Sequence, residues 1–388
     1  MQRQREGTKL FMSKQNSNSE KDNRSLGGTD YNQDGEALKI LVIQQKMIGD
    51  VLVSSIICEN LKKNFPDAEI HYLVNRFTIP VVDNNPFIDR FIVFEDDYKQ
   101  SKLKFYKFLK LISISGYTHV FDAYGKIESL LITKFTKARF KYGFRKPYSK
   151  FYYSKTVKMS NHVKTEAGSA IENRLRLLKL MDGVEVYNDK PQIYLTEEEI
   201  EKTREQFKSL DLNPKDCIMI SALGSGLNKS YPLEYLAEIL NRIVKKTHKR
   251  LILNYMPSQQ KHIDKLLSMI DGENRAHIVQ GIVMKSLRDF MKVCSQCLAI
   301  IGNEGGSINI AKALNIPSFS IFSPWVTKEG WNSFEQTYLN SSVHLIDFKP
   351  ELYNKPPKKY KDQSIEMYKL FKPELIIPKL DAFLEKLN

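Results

Sequence analysis

From Lys39 onward, short apolar runs alternate with longer stretches whose apolar residues recur every three or four positions. The first rhythm belongs to strands buried on both faces, the second to helices with one covered side. "ILVIQQ", residues 40–45, reads as the opening strand. The segment from Asp50 to Asn64 then places Val53, Ile56, Ile57 and Leu61 on one helical face. Further strands are predicted at "EIHYLV" (69–74), "RFIVFE" (90–95) and "THVFDAY" (118–124), with a helix over "KLKFYKFLKLISIS" before the last of them. A long helix is predicted over "NHVKTEAGSAIENRLRLLKLMDG", ending at Gly183.

The pattern then breaks. In "YNDKPQIYLTEEEIEKTREQF", Pro191 stops any helix and Thr196, followed by acidic residues, caps a new one. A second alternating series runs through "CIMISALGSG", "RLILNYMP", "AHIVQG", "CLAIIGNEGGS" and "PSFSIFSP", and "ELIIPKLDAFLEKLN" is a last helix. Strand and helix in strict alternation predict α/β architecture with doubly wound sheets. We expect two Rossmann-like domains of similar size, residues 37–190 and 191–388, with a cleft between them. Residues 1–36 are polar and poor in apolar side chains, which predicts a disordered leader.

Charge and cysteine content sharpen the picture. Lys and Arg number 59 against 45 Asp and Glu, a net charge of +14, which favours an anionic partner. No zinc-finger spacing or RNA-binding aromatic signature accompanies that charge, so nucleic acid is not the expected partner. Four cysteines in 388 residues are no disulfide framework. No apolar run reaches the ~18 residues of a membrane span, and the first residues lack the apolar centre of a secretion signal. A cytoplasmic protein is expected. Two stretches, Tyr98 to Lys110 and Lys134 to Lys158, interleave Lys and Arg with Tyr and Phe. They read either as a solvated surface or as a docking face for a phosphorylated glycolipid at the inner face of a membrane; their clustering favours the second.

Three stretches carry candidate chemistry. In "IIGNEGGSINIAKAL" a strand ends at Gly302, Glu304 follows, and Gly305, Gly306 and Ser307 open a helix. Small residues there let backbone N–H groups approach a diphosphate, although the same residues also make a plain turn with a serine cap. Glu304 is a candidate acceptor for a sugar hydroxyl. In "SALGSGLNKSYPLEYLAEI", Lys229 would set a positive charge over a phosphate, or lie solvated like most lysines. The order of a P-loop is absent. The third stretch is "QQKMIGDVLVSS", where Asp50 stands after the first strand: a helix cap, a general base, or both. "CSQC", Cys294 to Cys297, has no second pair and reads as packed thiols.

Together these residues resemble glycosyltransferase family 9, the bacterial heptosyltransferases. The opening "ILVIQQKMIGDVLVSSIICENLKKNFPDAEIHYLV" carries the family's strand, Ile-Gly-Asp and helix, then a Phe-Pro-x-Ala motif at Phe65 to Ala68. "VFDAYGKIES" and "RFKYGF" fit later landmarks. "IGNEGGSINIAKALNIPSFSIFSP" matches the nucleotide-sugar motif, with Glu304 for the usual Asp, Gly305 for Thr or Ser and Asn309 for His. The resemblance implies a GT-B fold and an inverting, metal-independent transfer, with no cofactor, of a sugar from a nucleotide diphosphate, usually ADP-heptose, to the lipopolysaccharide core. It implies Asp50 as the base and a donor site of Ser225, Asn228, Lys229, Met256, Glu304, Gly305, Gly306, Ser307 and Asn309. Acceptor contacts fall on Gly49, Asp122, Tyr124, Lys126 and Arg145. The departures also permit a catalytically silent protein that grips an anionic glycan or lipid. A dehydrogenase is disfavoured, because Gly-x-Gly-x-x-Gly is missing.

Overall fold

The computed structural model describes residues 37–282, 284–335 and 339–387. The leader expected over 1–36 lies outside the described residues. Two compact units divide the chain. The first extends to His162 and resumes over Ser169–Tyr194; the second takes Val163–Gly168 and everything from Leu195.

In the first unit, β1 (Lys39–Ile43), β2 (Glu69–Asn75), β3 (Arg90–Phe94), β4 (His119–Asp122), β5 (Phe140–Phe144) and β6 (Lys155–Val157) form one sheet in the order β3-β2-β1-β4-β5-β6. Every pairing is parallel. The order reverses between β1 and β4, where a doubly wound sheet opens a crevice at its carboxyl edge. Leu41, Ile43, Leu73, Ile92 and Val120 pack with Phe108 and Ile112 of α2 (Lys102–Ser113) and Ile132 of α3 (Ile127–Phe135).

Helix α1 (Ile48–Asn64) departs from its expected single apolar face, because Ser54, Glu59 and Asn60 are buried as well. The cover comes from chain that returns to this unit late. Arg174 of α4 (Gly168–Leu178) donates to the Ser54 hydroxyl at 3.1 Å. The Asn188 amide donates to Glu59 at 2.8 Å. Asn60 accepts from the N–H groups of Tyr187 and Asn188 at 2.7 and 3.1 Å and donates to the Asn188 carbonyl at 2.8 Å. The polar residues of α1 are therefore sockets for the returning segment.

The helix expected from Asn161 to Gly183 is only α4. Gly168 stands at φ +80°, a left-handed value that keeps the helix from extending towards Asn161, and at the other side the helix stops at Leu178, before Gly183. Strands β5 and β6 lie within the basic, aromatic stretch from Lys134 to Lys158, where lysines and arginines hide the strand rhythm; of the two, only β6 is an edge strand.

The second sheet is parallel too. It holds β7 (Cys217–Ser221), β8 (Arg250–Asn254), β9 (Ala299–Asn303), β10 (Ser318–Ile321) and β11 (Asn340–Val343), in the order β11-β10-β9-β7-β8, reversing between β7 and β9. The expected strand "AHIVQG" shrinks to a single bridge from Ile278 to Leu251, since Gly281 at φ +87° turns the chain away. Thr196 caps α5 (Glu197–Ser209) as expected, in a capping box with Glu199. Helices α6 (Leu233–Thr247) and α8 (Pro373–Glu385) cover the sheet through Leu236, Leu240, Ile376 and Leu380; α7 (Gly306–Ala313) follows β9. Cys294 and Cys297 are fully buried, and burial pushes the Cys294 thiol up to about 12. No described helix is long and apolar enough to cross a membrane.

Because Asn60 seats the chain that follows α4, Asn60→Ala strands three backbone groups of Tyr187 and Asn188. We expect a loss of about 2 to 3 kcal/mol in urea unfolding, whereas Lys107→Ala, at an exposed helical position, leaves the midpoint nearly unchanged.

Candidate active site

The opening loop of the first unit resolves the cap question for Asp50. The helix begins at Ile48, its N-cap is Met47, and no side chain caps it. Asp50 is the third helical residue. Its carboxylate accepts from Arg174 Nη2 at 2.8 Å, with Arg174 almost fully buried and Asp50 30% exposed. A negative charge in the first turn also suits the helix dipole. Gly49 is buried within that turn.

Across the switch point, the loop after β4 is shaped by Asp122. This residue, expected at the acceptor, is fully buried. Its Oδ1 accepts from the N–H groups of Tyr124 and Gly125 at 3.0 and 2.8 Å, and its Oδ2 from the Tyr153 hydroxyl at 2.7 Å. Burial raises its carboxyl above the usual range, while those hydrogen bonds pull it back. Asp122 thus builds the turn that presents Tyr124. Partial burial first, then the carboxylates of Glu128, Asp50 and Asp122, hold the Tyr124 phenol above its usual value, so this ring stands in the electrostatic reach of Asp50. Lys126 is exposed where α3 begins, its N–H donating to Ser129 Oγ at 3.0 Å. Arg145 is exposed after β5, with its Nε 3.5 Å from Thr156 Oγ1.

Sequence reasoning missed a second basic group on this edge. Lys46 lies 3.9 Å from Asp96, and its approach to Lys99, followed by partial burial, holds the Lys99 ammonium below the usual lysine range. Two ammonium groups crowded at one sheet edge suit an anion.

In the second unit the switch point is built from β7 and β9. Gly302 stands at φ +135°, and a Cβ there would lie 2.3 Å from the Ser221 carbonyl oxygen, so only glycine lets β9 pass β7 this closely. Asn303 clamps the next turn: its amide donates to the Ser221 and Ala222 carbonyls at 3.1 and 2.8 Å, and its Oδ1 accepts from Tyr231 N–H at 2.7 Å. Ser307 does not give the helix the cap that a plain turn would require. Gly305 is the N-cap of α7, while the Ser307 and Ser221 hydroxyls bond each other at 2.8 Å. Gly305, at φ +149°, has open space where a side chain would project. Gly306 and Ser307 therefore start α7 without a side-chain cap, and Asn309 lies one turn on, its N–H on the Gly305 carbonyl.

Lys229 and Glu304, from the loops after β7 and β9, meet at 3.2 Å as a charge contact without hydrogen-bond alignment. Lys229 Nζ also lies 5.4 Å from the centre of the Trp325 ring, and Lys361 Nζ lies 5.5 Å from it. Trp325 was missed; its indole N–H and the Ser323 hydroxyl both donate to the Asn228 carbonyl at 2.7 Å, which fixes the loop under Lys229. Ser225 is exposed in that loop, and Met256 is half-exposed after β8. Gln259 links the two loops, accepting from Met256 N–H at 2.8 Å and donating to the Gly224 carbonyl at 3.2 Å. The second unit therefore brings Lys229 to Glu304 and Ser307 to the end of β7 beside the glycine-headed α7, with Ser225 and Asn228 in the loop after β7 and Met256 after β8. The first unit brings Asp50 and Tyr124 to one edge and turns Asp122 inward.

A sequence model of glycosyltransferase family 9 (heptosyltransferase) matches residues 105–348, more than half of the chain. The chain belongs to glycosyltransferase family 9. It is 24% identical over 293 residues to lipopolysaccharide heptosyltransferase 1 of Campylobacter coli, covering 74% of this chain and 84% of the relative. It resembles the crystal structure of a family 9 glycosyl transferase from Veillonella parvula with a TM-score of 0.76 at 15% identity, over 90% of this chain and 98% of that one. Against E. coli ADP-heptose lipopolysaccharide heptosyltransferase II the TM-score is 0.64 at 17% identity, over 90% and 99%. These structures share its fold, the GT-B type with two Rossmann-like domains. This family 9 chain is accordingly a glycosyltransferase.

Helix α7 is anchored at its far end by Lys312, buried, with Nζ 3.2 Å from the Ser333 carbonyl and 3.5 Å from that of Trp331. Burial lowers its ammonium to about 8 from 10.5, with Glu335 opposing. Between those two values the folded enzyme binds fewer protons than the unfolded chain, so the Lys312 contribution to stability rises with pH across the window. The stability difference between wild type and Lys312→Met should therefore move in favour of wild type from pH 8 to 10.5, by on the order of 3 kcal/mol. Urea unfolding of both proteins over that range checks it.

Proposed function

We propose that this glycosyltransferase moves heptose from ADP-heptose onto the lipopolysaccharide inner core or a related glycolipid, inverting the anomeric centre and using no metal. The observation that carries the reading is the Asp50 carboxylate, solvent-reachable at the switch point of the first sheet and fixed through one oxygen. The names of the C. coli and E. coli relatives support the donor and acceptor.

In this mechanism Asp50 Oδ2 takes the proton from an acceptor hydroxyl. The oxygen attacks the anomeric carbon from the face opposite the diphosphate, and the bond to the diphosphate breaks. A single displacement inverts the centre. Lys229 and the N–H groups of Gly306 and Ser307 take up the charge that develops on the leaving group, the part a divalent ion plays in other transferases. Glu304 accepts from a hydroxyl of the donor, with Ser225, Asn228, Met256 and Asn309 around it. Tyr124, Lys126 and Arg145, with Lys46 and Lys99, receive an acceptor that carries anionic groups.

Transfer onto a lipid-borne acceptor at the cytoplasmic face also needs contact with the membrane surface. Leu103, Tyr106, Leu111 and Ile114, on α2 and just beyond it, are exposed beside Lys107 and Lys110. Apolar side chains ringed by ammonium groups suit an anionic bilayer surface. In flotation assays the enzyme should bind phosphatidylglycerol vesicles and not phosphatidylcholine vesicles. Leu103→Glu with Ile114→Glu should abolish that binding; vesicle binding by this double variant would exclude the face.

For the reaction itself, ADP-heptose should raise the melting temperature above that seen with UDP-, GDP- or ADP-hexoses. Saturation at a hundredfold over Kd corresponds to about 2.7 kcal/mol. Asp50→Asn should keep that shift and lose about 10²- to 10⁴-fold in kcat. Lys229→Ala should weaken both, and chelators should leave transfer unchanged. Wild-type turnover by Asp50→Asn, or stabilisation only by another nucleotide sugar, would refute the reading.

A further inference from the structure

Arg174 belongs to none of the motifs that mark the site, yet its guanidinium is the group that touches Asp50. Its three nitrogens each have an identified partner. Nη2 donates to Asp50 Oδ1 at 2.8 Å, Nε to Ser54 Oγ at 3.1 Å, and Nη1 to the Ala170 carbonyl of its own helix at 3.2 Å. Ser54 in turn lies 3.4 Å from Gln44 Oε1 at the end of β1. Asp50 and Ser54 are one turn apart on α1, so a planar guanidinium spans them along one edge. The arrangement has two ends of different character: the Arg174 side chain is 7% exposed and that of Asp50 30%. The cation is beyond the reach of a substrate, whereas the carboxylate is not.

We propose that Arg174 is the positioning residue of the transfer reaction, fixing Asp50 Oδ1 so that Oδ2 alone faces the acceptor hydroxyl. This inference rests on the reading of Asp50 as the base.

Two physical arguments support it. An aspartate in the first turn of a helix rotates readily about its side-chain bonds, and a base displaced by about 1 Å costs about 10²-fold in rate. A fork held by three partners removes that freedom before substrate arrives. Moreover, a buried ion pair is weak support for stability: replacing both partners by apolar side chains of equal volume is commonly neutral, and loss of one partner is costly chiefly where the other charge stays buried. Methionine would fill the space of Arg174, and Asp50 would remain hydrated through its exposed side. The guanidinium is therefore better accounted for by what it does to the carboxylate than by the energy of the fold.

A double-mutant cycle tests it. Arg174→Met should fold with a melting temperature close to wild type and keep KM for the nucleotide sugar, while kcat falls about 10- to 100-fold. In the Asp50→Asn background the same substitution should change kcat less than twofold, because there is no carboxylate left to aim. Guanidinium added to Arg174→Ala should restore part of kcat, and restore none in the double variant. An equal loss of kcat in both backgrounds, or an Arg174→Met enzyme as fast as wild type, would overturn the positioning role and leave the base intact. Wild-type kcat in Asp50→Asn alone would instead overturn the base. Should Arg174→Met not fold, Arg174→Lys serves the same cycle: it keeps the charge but cannot span Ser54 and Asp50, and the same losses and the same refutations apply.

Discussion

Every strand in both sheets runs parallel to its neighbours, and this decides where polar chemistry can be placed. A parallel strand is buried on both faces, so its polar residues gather where it ends. β1 carries Ile40, Leu41, Val42 and Ile43 without exposure and then delivers Gln44, Gln45 and Lys46. β9 carries Ile300 and Ile301 and then delivers Gly302, Asn303 and Glu304. Because each sheet reverses its strand order once, only one pair of carboxyl ends in each unit diverges enough to admit a ligand. Asp50 with Tyr124 falls at the first of these points, and Lys229 with Glu304 at the second. The chemistry of the enzyme is in this sense a consequence of its topology.

The second constraint is the return of the chain to the first unit. A helix in a doubly wound domain ordinarily turns a polar side to water. Helix α1 cannot, because residues 169–194 come back over it. Its buried Ser54 and Asn60 are each paired with that segment, as burial of polar groups requires. The two pairings differ in kind. Asn60 satisfies backbone groups that have no substitute, so it is a matter of stability. The Arg174 contact joins a buried cation to a carboxylate that water already reaches, so it adds little to stability and much to orientation.

The sequence disclosed these features unevenly. The strands with apolar runs, the capped helix at Thr196 and the turn at Gly302 to Gly306 were legible because local chemistry sets them: apolar runs, a capping box, a glycine where a carbonyl passes close. Asp50 was legible as a residue at a strand end, but that it is no helix cap depended on a helix start two residues earlier than the pattern suggested. β11 was missed because "NSSV" has no apolar rhythm; Ser342 is buried there with its N–H donating to the Glu335 carboxylate. Arg174 did leave a trace. Ile171, Arg174, Leu177 and Leu178 share one helical stripe, and all are buried. A cation on such a stripe must have a partner, yet its partner lies 124 residues away, and only the tertiary fold names it.

The proposed donor residues that depart from the family pattern can be weighed in the same terms. A glutamate at 304 reaches Lys229 at 3.2 Å, and the lysine is also held against Trp325. Ordering a lysine side chain costs on the order of 2 kcal/mol, and here most of that cost is met before a donor binds. Against it stands repulsion between the Glu304 carboxylate and an incoming diphosphate. At about 6 Å and an effective dielectric of 20 this is about 3 kcal/mol for each unit charge. Lys229 cannot cancel both anions. The balance therefore requires further positive potential, and two sources are at hand: the uncapped start of α7, with open space at Gly305, and Lys361 on the same indole. A glycine at 305 is then no loss of a family hydroxyl. In the proposed donor site it lets the phosphates come close enough to the N–H groups of Gly306 and Ser307 for the helix to offset the glutamate.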